Sequence, residues 1–269
     1  MPNDVRLQIV GVIRFSVLTD DFTPLNYGDA DIMRAKFFEP TRLSERLKMF
    51  EALCLSTLGH QTDTDFRCAM LTSEEMPKPV LQKLSALIAP YPQFVLHAAP
   101  IGHHYALIKD AYDAAANPGF THRCSFRLDD DDGLALDYIA RLRNLSLKLL
   151  EISRDPFFIA FNRGIYLDRT KPSENALTDA VERAPLSAGT ALAHPEDLFT
   201  NPYRYNHRAF QQHHNTYSEI DDAMFLRTIH ADNISNPDLR GIIGKKKQEK
   251  IKAIIRKRFG LSVETLRTL

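Results

Sequence analysis

Cysteine is scarce in this sequence: Cys54, Cys68 and Cys124 are the only three, far apart and without a C-x-x-C pair. That argues against a disulfide framework or a thiolate zinc site and suits buried free thiols in a reducing cytosol. No apolar run reaches the length of a membrane span. Met1-Pro2-Asn3-Asp4 leads straight into a strand-like stretch, without the basic-then-apolar pattern of a secretion signal, so a cytoplasmic location is expected. Glycine-rich phosphate fingerprints are missing too. No G-x-G-x-x-G follows the first apolar run and no G-x-x-x-x-G-K-[ST] occurs anywhere, which weighs against dinucleotide oxidoreductases and P-loop NTPases. Charge of one sign is not in excess: 34 Lys+Arg balance 34 Asp+Glu, so no nucleic-acid partner is expected.

What is present is a chain of 269 residues, 44% hydrophobic, enough for one large α/β domain or two small ones. Residues 7–18 form a nearly continuous β-branched and apolar run, the pattern of a strand buried on both faces. After a loop over 19–40, Thr41 can cap a helix whose face is Leu43, Leu47, Phe50, Cys54 and Leu58, closed by Gly59. Strands are predicted at Phe66 to Leu71 and Phe94 to His97, and helices at Val80 to Ile88 and His103 to Ala116. A fourth strand, Cys124 to Leu128, then runs into an acidic cluster. This β-α alternation predicts an α/β fold with a mainly parallel central sheet flanked by helices.

The second half reads differently. A long helix is predicted over Leu134 to Ile152, then a hairpin of Phe157 to Phe161 and Ile165 to Leu167 about Asn162-Arg163-Gly164. Residues 168–222 look loop-rich, Ala223 to Ile229 reads as a buried strand ending at His230, and Lys245 to Arg258 as a basic helix with Ile251, Ile254, Ile255 and Phe259 on one side. The domain expected is 1–240, divided at 133/134, with 241–269 as a C-terminal basic helical segment that could touch anionic lipid.

Arg127-Leu128-Asp129-Asp130-Asp131-Asp132-Gly133 carries the chemistry. Adjacent carboxylates raise one another's pKa unless a cation relieves them. At the carboxyl end of a strand, where α/β sheets bind ligands, a divalent metal is the natural relief. If the strand continues, Asp129 and Asp131 share one side and Asp130 and Asp132 the other. An EF-hand fails on paper, because with Gly133 in the glycine slot Leu128 and Ile139 would have to chelate. Oxygen ligands favour Mn²⁺ or Mg²⁺ over zinc. The bland alternative is a solvated acidic turn capping the next helix. Arg14 either snorkels or contacts a phosphate or base, and Arg127 either pairs with its acidic neighbours or faces a diphosphate. Tyr203, Tyr205, His207 and Arg208 lie in a polar aromatic loop suited to sugar stacking or to plain packing.

Together with Gln61-Thr62-Asp63-Thr64-Asp65-Phe66, the acidic run resembles glycosyltransferases of the GT-A fold, above all a bacterial rhamnosyltransferase family, over roughly residues 5–240. The resemblance implies a UDP- or dTDP-sugar donor, a glycan or lipid-linked acceptor, and a D-x-D motif. Asp129 and Asp131 would hold metal and ribose, with Asp130 and Asp132 as the other register. It further implies an acceptor-facing small-residue loop at Ser187-Ala188-Gly189-Thr190, a catalytic base among Glu219, Asp221 and Asp222, with Asp222 favoured, and a metal- or diphosphate-binding His230. One base and no covalent intermediate would give inversion. Two other readings compete. One is a nucleotidyltransferase, though Phe15 to Asp21 lacks its glycine- and lysine-bearing phosphate loop; the other is a non-catalytic divalent-ion or carbohydrate-binding module.

Overall fold

The computed structural model describes residues 5–21, 30–171, 176–233, 241–244, 246–267 and 269. Its first half follows the expected alternation: β1 (Leu7–Arg14), α1 (Ala30–Phe37), α2 (Pro40–Met49), β2 (Arg67–Ser73), α4 (Lys78–Ile88), β3 (Phe94–Ala99), α5 (His104–Ala115) and β4 (His122–Asp129), with α2 running on through a π-helical stretch (Phe50–Leu55) into α3 (Ser56–Leu58). β1 lies between β4 and β2, parallel to both, and β3 extends the parallel set. The period of two along β1 divides its side chains between two cores. Val10 and Val12 pack with Leu107, Ile108, Ala111 and Tyr112 of α5. Leu7, Ile9 and Ile13 join the larger core under α2 and α6 (Tyr138–Ile152). All three cysteines are buried, and burial pushes the Cys124 thiol up to about 12.

Several boundaries depart from expectation. α2 begins two residues earlier than a Thr41 cap would put it: Pro40 takes the first turn and the Glu39 carboxylate accepts from the Thr41 and Arg42 amides. α1 falls within the stretch expected to be loop; residues 22–29 of that stretch lie outside the described residues. Gly133–Leu134 form a short strand, β5, and α6 starts only at Tyr138. The predicted hairpin is not one. β6 (Phe157–Phe161) belongs to the first sheet and β7 (Arg163–Asp168) to a second, with Asn162 as the crossing point, its amide donating to Glu219 and its carbonyl accepting from Glu182.

The loop-rich stretch supplies β8 (Leu177–Val181), β9 (Ala191–Pro195) and β10 (Asn215–Glu219), followed by β11 (Phe225–Ile229) and β12 (Ile242–Ile243). The first sheet therefore runs β10-β6-β9-β4-β1-β2-β3 and the second β12-β8-β7-β11-β5. β9 is antiparallel to both β4 and β6, so the sheet is mixed on that side. The C-terminal helical region is α7 (Gln248–Ile254), a π-helical turn (Ile255–Phe259) and α8 (Val263–Arg267). Ile251, Ile255 and Phe259 sit in the main core while Ile254 is only partly buried, so the segment docks by its apolar side. No described helix is long and apolar enough to cross a membrane.

Candidate functional site: a carboxylate turn faced by arginines

β1 and β4 end side by side, with Arg14 and Asp129 in register. β4 stops there; Asp130 and Asp131 form a turn, closed by the Asp132 amide donating to the Asp129 carbonyl, before β5. The expected strand alternation through the acidic run is thereby corrected. A turn does not alternate sides, and all four carboxylates line one cleft of about 510 Å³, a volume suited to a small ligand. Asp130, Asp131 and Asp132 are 1%, 5% and 2% exposed, so this is no solvated acidic turn.

The relief comes from arginine. Arg46 of α2 lays a two-pronged fork on Asp130, with Nε 3.0 Å from Oδ2 and Nη2 on Oδ1, and its Nη1 donates to Asp131 Oδ2 at 2.7 Å. His230 at the end of β11 places Nε2 2.8 Å from that same oxygen, and Asn233 Nδ2 reaches it at 3.2 Å. Burial works against ionisation of Asp131, but Arg46 and the hydrogen-bonded His230 outweigh it and hold the carboxyl below its ordinary range. Asp132 accepts from the Thr228 amide at 3.1 Å; burial, then the charge of Asp131, pushes its carboxyl up. Arg14 Nη2 is 2.6 Å from Asp129 Oδ1.

Arg42, one helical turn before Arg46, pairs with Asp232 and donates to the Ser16 hydroxyl at 2.8 Å. Ser16 has a left-handed backbone (φ 49°), a conformation non-glycine residues adopt at some cost, where the chain leaves β1 into the cleft wall.

Arg127 is set apart from these pairs. It is 8% exposed, its Nε is buried without a hydrogen-bond partner, and its guanidinium makes no ion pair among the described residues. It stacks over the Tyr203 ring at 4.1 Å, with Arg14 over the same ring at 5.0 Å. Tyr203 is held by a one-turn 3₁₀ helix (Pro202–Arg204) whose start is capped by the Asn201 side chain. His104 and His207 also line the cleft, and burial, followed by Arg14 in the first case and Arg127 in the second, brings each down to about 4, so both are neutral at neutral pH.

The structure thus brings Arg14, Arg127 and Asp129–Asp132 together, with His230 behind Asp131. Gly189 is not part of the lining. Its φ of 75° needs glycine, its amide donates to the Arg127 carbonyl, and an added Cβ would meet Leu134 and Tyr138 of the core; Ser187 is the residue of that loop on the cleft. Glu219, Asp221 and Asp222 do not line it either. Asp222 and Glu219 are tied to Arg141, whose hydrogen bond holds the Asp222 carboxyl low. The reason is direction: the acidic triplet precedes β11, whereas the cleft forms at that strand's carboxyl end, where Thr228 and His230 reach the turn.

The residues that sequence reasoning missed are Arg42, Arg46, Arg227 and Asn233. Arg42 and Arg46 stand one turn apart on a helix otherwise chosen for its apolar face, and Arg227 interrupts a buried strand.

An Mn²⁺ or Mg²⁺ ion, as expected from the acidic run, would have to take its ligands from this donor set. The oxygens are of the right kind, but Asp130 is gripped by Arg46, Asp131 by Arg46, His230 and Asn233, and Asp129 by Arg14. Among the described residues no group of three or more His, Cys, Asp or Glu side chains is disposed to hold a metal ion. As arranged, the residues do not fit the ion.

Comparison with known proteins gives one family. The sequence model of the family described as "Putative rhamnosyl transferase" matches residues 8–241. No curated protein matches. Among solved structures, Staphylococcus aureus TarS 1–349 in complex with UDP is similar at 12% identity and a TM-score of 0.43, over 82% of this chain and 60% of that one. A putative nucleotide-diphospho-sugar transferase from Desulfovibrio desulfuricans is similar at 11% identity and a TM-score of 0.39, over 80% of each chain. A putative Bacillus anthracis glucose-1-phosphate thymidylyltransferase is similar at 10% identity and 0.39, over 81% of this chain and 88% of that one. This chain spans less than two thirds of the TarS fragment, and likeness at this level speaks to neither substrate nor mechanism.

Proposed function

Because the chain belongs to the family described as "Putative rhamnosyl transferase", we propose that it moves a sugar from a nucleoside-diphosphate sugar, UDP- or dTDP-linked, to a hydroxyl of a glycan or lipid-linked acceptor. The observation that carries this reading is the pairing, in one buried cleft, of a carboxylate turn with guanidinium groups at the carboxyl ends of β1 and β4. Carboxylates suit the hydroxyls of a ribose or sugar; arginines suit the oxygens of a diphosphate.

In the reaction, the bond between the anomeric carbon and the diphosphate oxygen breaks and its electron pair stays on that oxygen. The acceptor oxygen bonds to the carbon, and its proton leaves to a base. Negative charge grows on the leaving diphosphate, and guanidinium groups fixed beforehand along the cleft stabilise it without reorganising. Arg127 suits this role, because its guanidinium makes no ion pair among the described residues. Arg14, fixed by Asp129 and Tyr203, gives the wall its shape. Direct displacement of this kind inverts the anomeric centre.

The test is incubation of the full chain with a panel of UDP-, dTDP- and GDP-sugars and glycan acceptors, with products read by mass spectrometry and anomeric configuration by NMR. Release of a nucleoside diphosphate together with an inverted glycoside is expected. Failure to consume every donor, with thermal stabilisation by nucleoside triphosphates alone, would point to nucleotidyl transfer instead.

A further inference from the structure

We infer that this cleft binds the diphosphate of its ligand without a divalent cation: Arg46 fills the place between Asp130 and Asp131 that an ion would take, and Arg127 meets the phosphate directly. The inference rests on the nucleotide-sugar reading and deepens it.

Charge is the first argument. The described lining carries six arginines against four aspartates, so it is net positive before any ion enters. A metal site built from a carboxylate run has the opposite balance, and there the ion reverses the sign so that a diphosphate can approach. Here that reversal is done by side chains.

Geometry is the second. Arg46 crosses from Asp130 to Asp131 and makes three donor contacts with them, the bridging that one divalent ion between two carboxylates would perform. Arg42 lies one turn away and is itself tied down by Asp232 and Ser16, so Arg46 is backed by a braced neighbour.

Arg127 is the third. A buried guanidinium that makes no ion pair among the described residues is costly, and in this cleft an anionic ligand is the partner that would offset it. Tyr203 lies under the guanidinium carbon at 4.1 Å, and the two terminal Nη groups, without an ion pair among the described residues, are the donors that would meet phosphate oxygens.

The experiment is calorimetric titration of the full chain with UDP, dTDP and GDP, first in EDTA, then with Mn²⁺ and with Mg²⁺, alongside electron paramagnetic resonance for protein-bound Mn²⁺. At least one diphosphate is expected to bind in EDTA with an affinity within about threefold of that in metal, and nucleotide is expected to recruit no Mn²⁺ to the protein. Arg127→Gln is expected to lose at least about tenfold in that EDTA affinity, the scale of a charged hydrogen bond, without a fall in thermal midpoint, since no protein ion pair is removed. Arg227→Gln, another cation of the lining that, like Arg204, has no carboxylate hydrogen bond among the described residues, gives an independent loss of affinity if the first variant folds poorly. Diphosphate binding only when metal is present, or undiminished binding by both variants, overturns the inference and leaves the nucleotide-sugar reading standing. No diphosphate bound under any condition overturns both.

Discussion

Removing Arg46 should cost the folded chain more than any other single change in the cleft. Arg46 is 8% exposed and its two partners are 1% and 5% exposed, so Arg46→Ala leaves two carboxylates in a region nearly closed to water. Breaking a buried pair from one side costs about 3–5 kcal/mol, because the remaining charge has lost its counter-ion but not its burial. Asp131 keeps His230 at 2.8 Å and Asn233 at 3.2 Å, while Asp130 loses its entire fork; the loss therefore falls mainly on Asp130. Two consequences follow. Urea unfolding of Arg46→Ala at neutral pH should show a lowered midpoint at unchanged slope, equivalent to a loss within that range. Adding Asp130→Asn should return part of it, with a coupling of about 2 kcal/mol across the double-mutant cycle. A loss below about 1 kcal/mol, or additive single effects, would mean that the fork contributes little beyond a surface ion pair and that the electrostatic account of the turn is wrong.

Two further outcomes test the scaffold. Gly11→Ala in β1 would put a methyl group into the Phe126 ring, which is fully buried and cannot retreat; a loss of about 1–3 kcal/mol is expected, partly restored by Phe126→Leu, and a neutral result would refute the close packing of β1 on β4. His194, 2% exposed in β9, is brought down by burial to about 4 from an ordinary 6.5, so the unfolded chain takes up its proton first; stability from this group is complete above about 6.5 and drains as pH falls toward about 4, by roughly 3 kcal/mol at most. The difference between wild type and His194→Gln in urea midpoint, followed from pH 7 to 4.5, should shrink over that window, and a constant difference would sink the assignment.

The first half of the fold was legible because its strands are central and its helices amphipathic. Burial on both faces writes a continuous apolar run, as in Leu7 to Ile13, and one-sided burial writes the spacing of Leu43, Leu47 and Phe50. The second half resists for equally physical reasons. β9 is central yet reads Ala-Leu-Ala-His-Pro, whose small side chains fit between β4 and β6 but carry no strand signature. β10 is an edge strand, largely polar and half in water, which looks like loop. Phe157 to Phe161 and Arg163 to Asp168 looked like one hairpin because local pattern does not say that two adjacent strands belong to different sheets.

The site was half visible, and the division follows from where its charges sit in the chain. The aspartates stand in a block after a buried strand, so their shared electrostatic problem is readable from sequence. The solution is not local: the counter-charges of Asp130 and Asp131 come from Arg46, more than eighty positions earlier, and from His230, about a hundred positions later. A block of carboxylates therefore announces that a cation must be present without saying which, and in this fold Arg46 of α2 is a cation that sequence reasoning did not supply. The signal that distinguishes the two is an arginine placed where burial should forbid it. Arg14 closes the first buried strand, Arg46 borders an apolar helix face, Arg127 precedes the acidic run, and Arg227 sits inside Phe-Leu-Arg-Thr-Ile. Each is costly alone. Together they converge on one cleft with four aspartates, and Arg127 and Arg227, which make no ion pair among the described residues, are the members that an anion from outside the chain would complete.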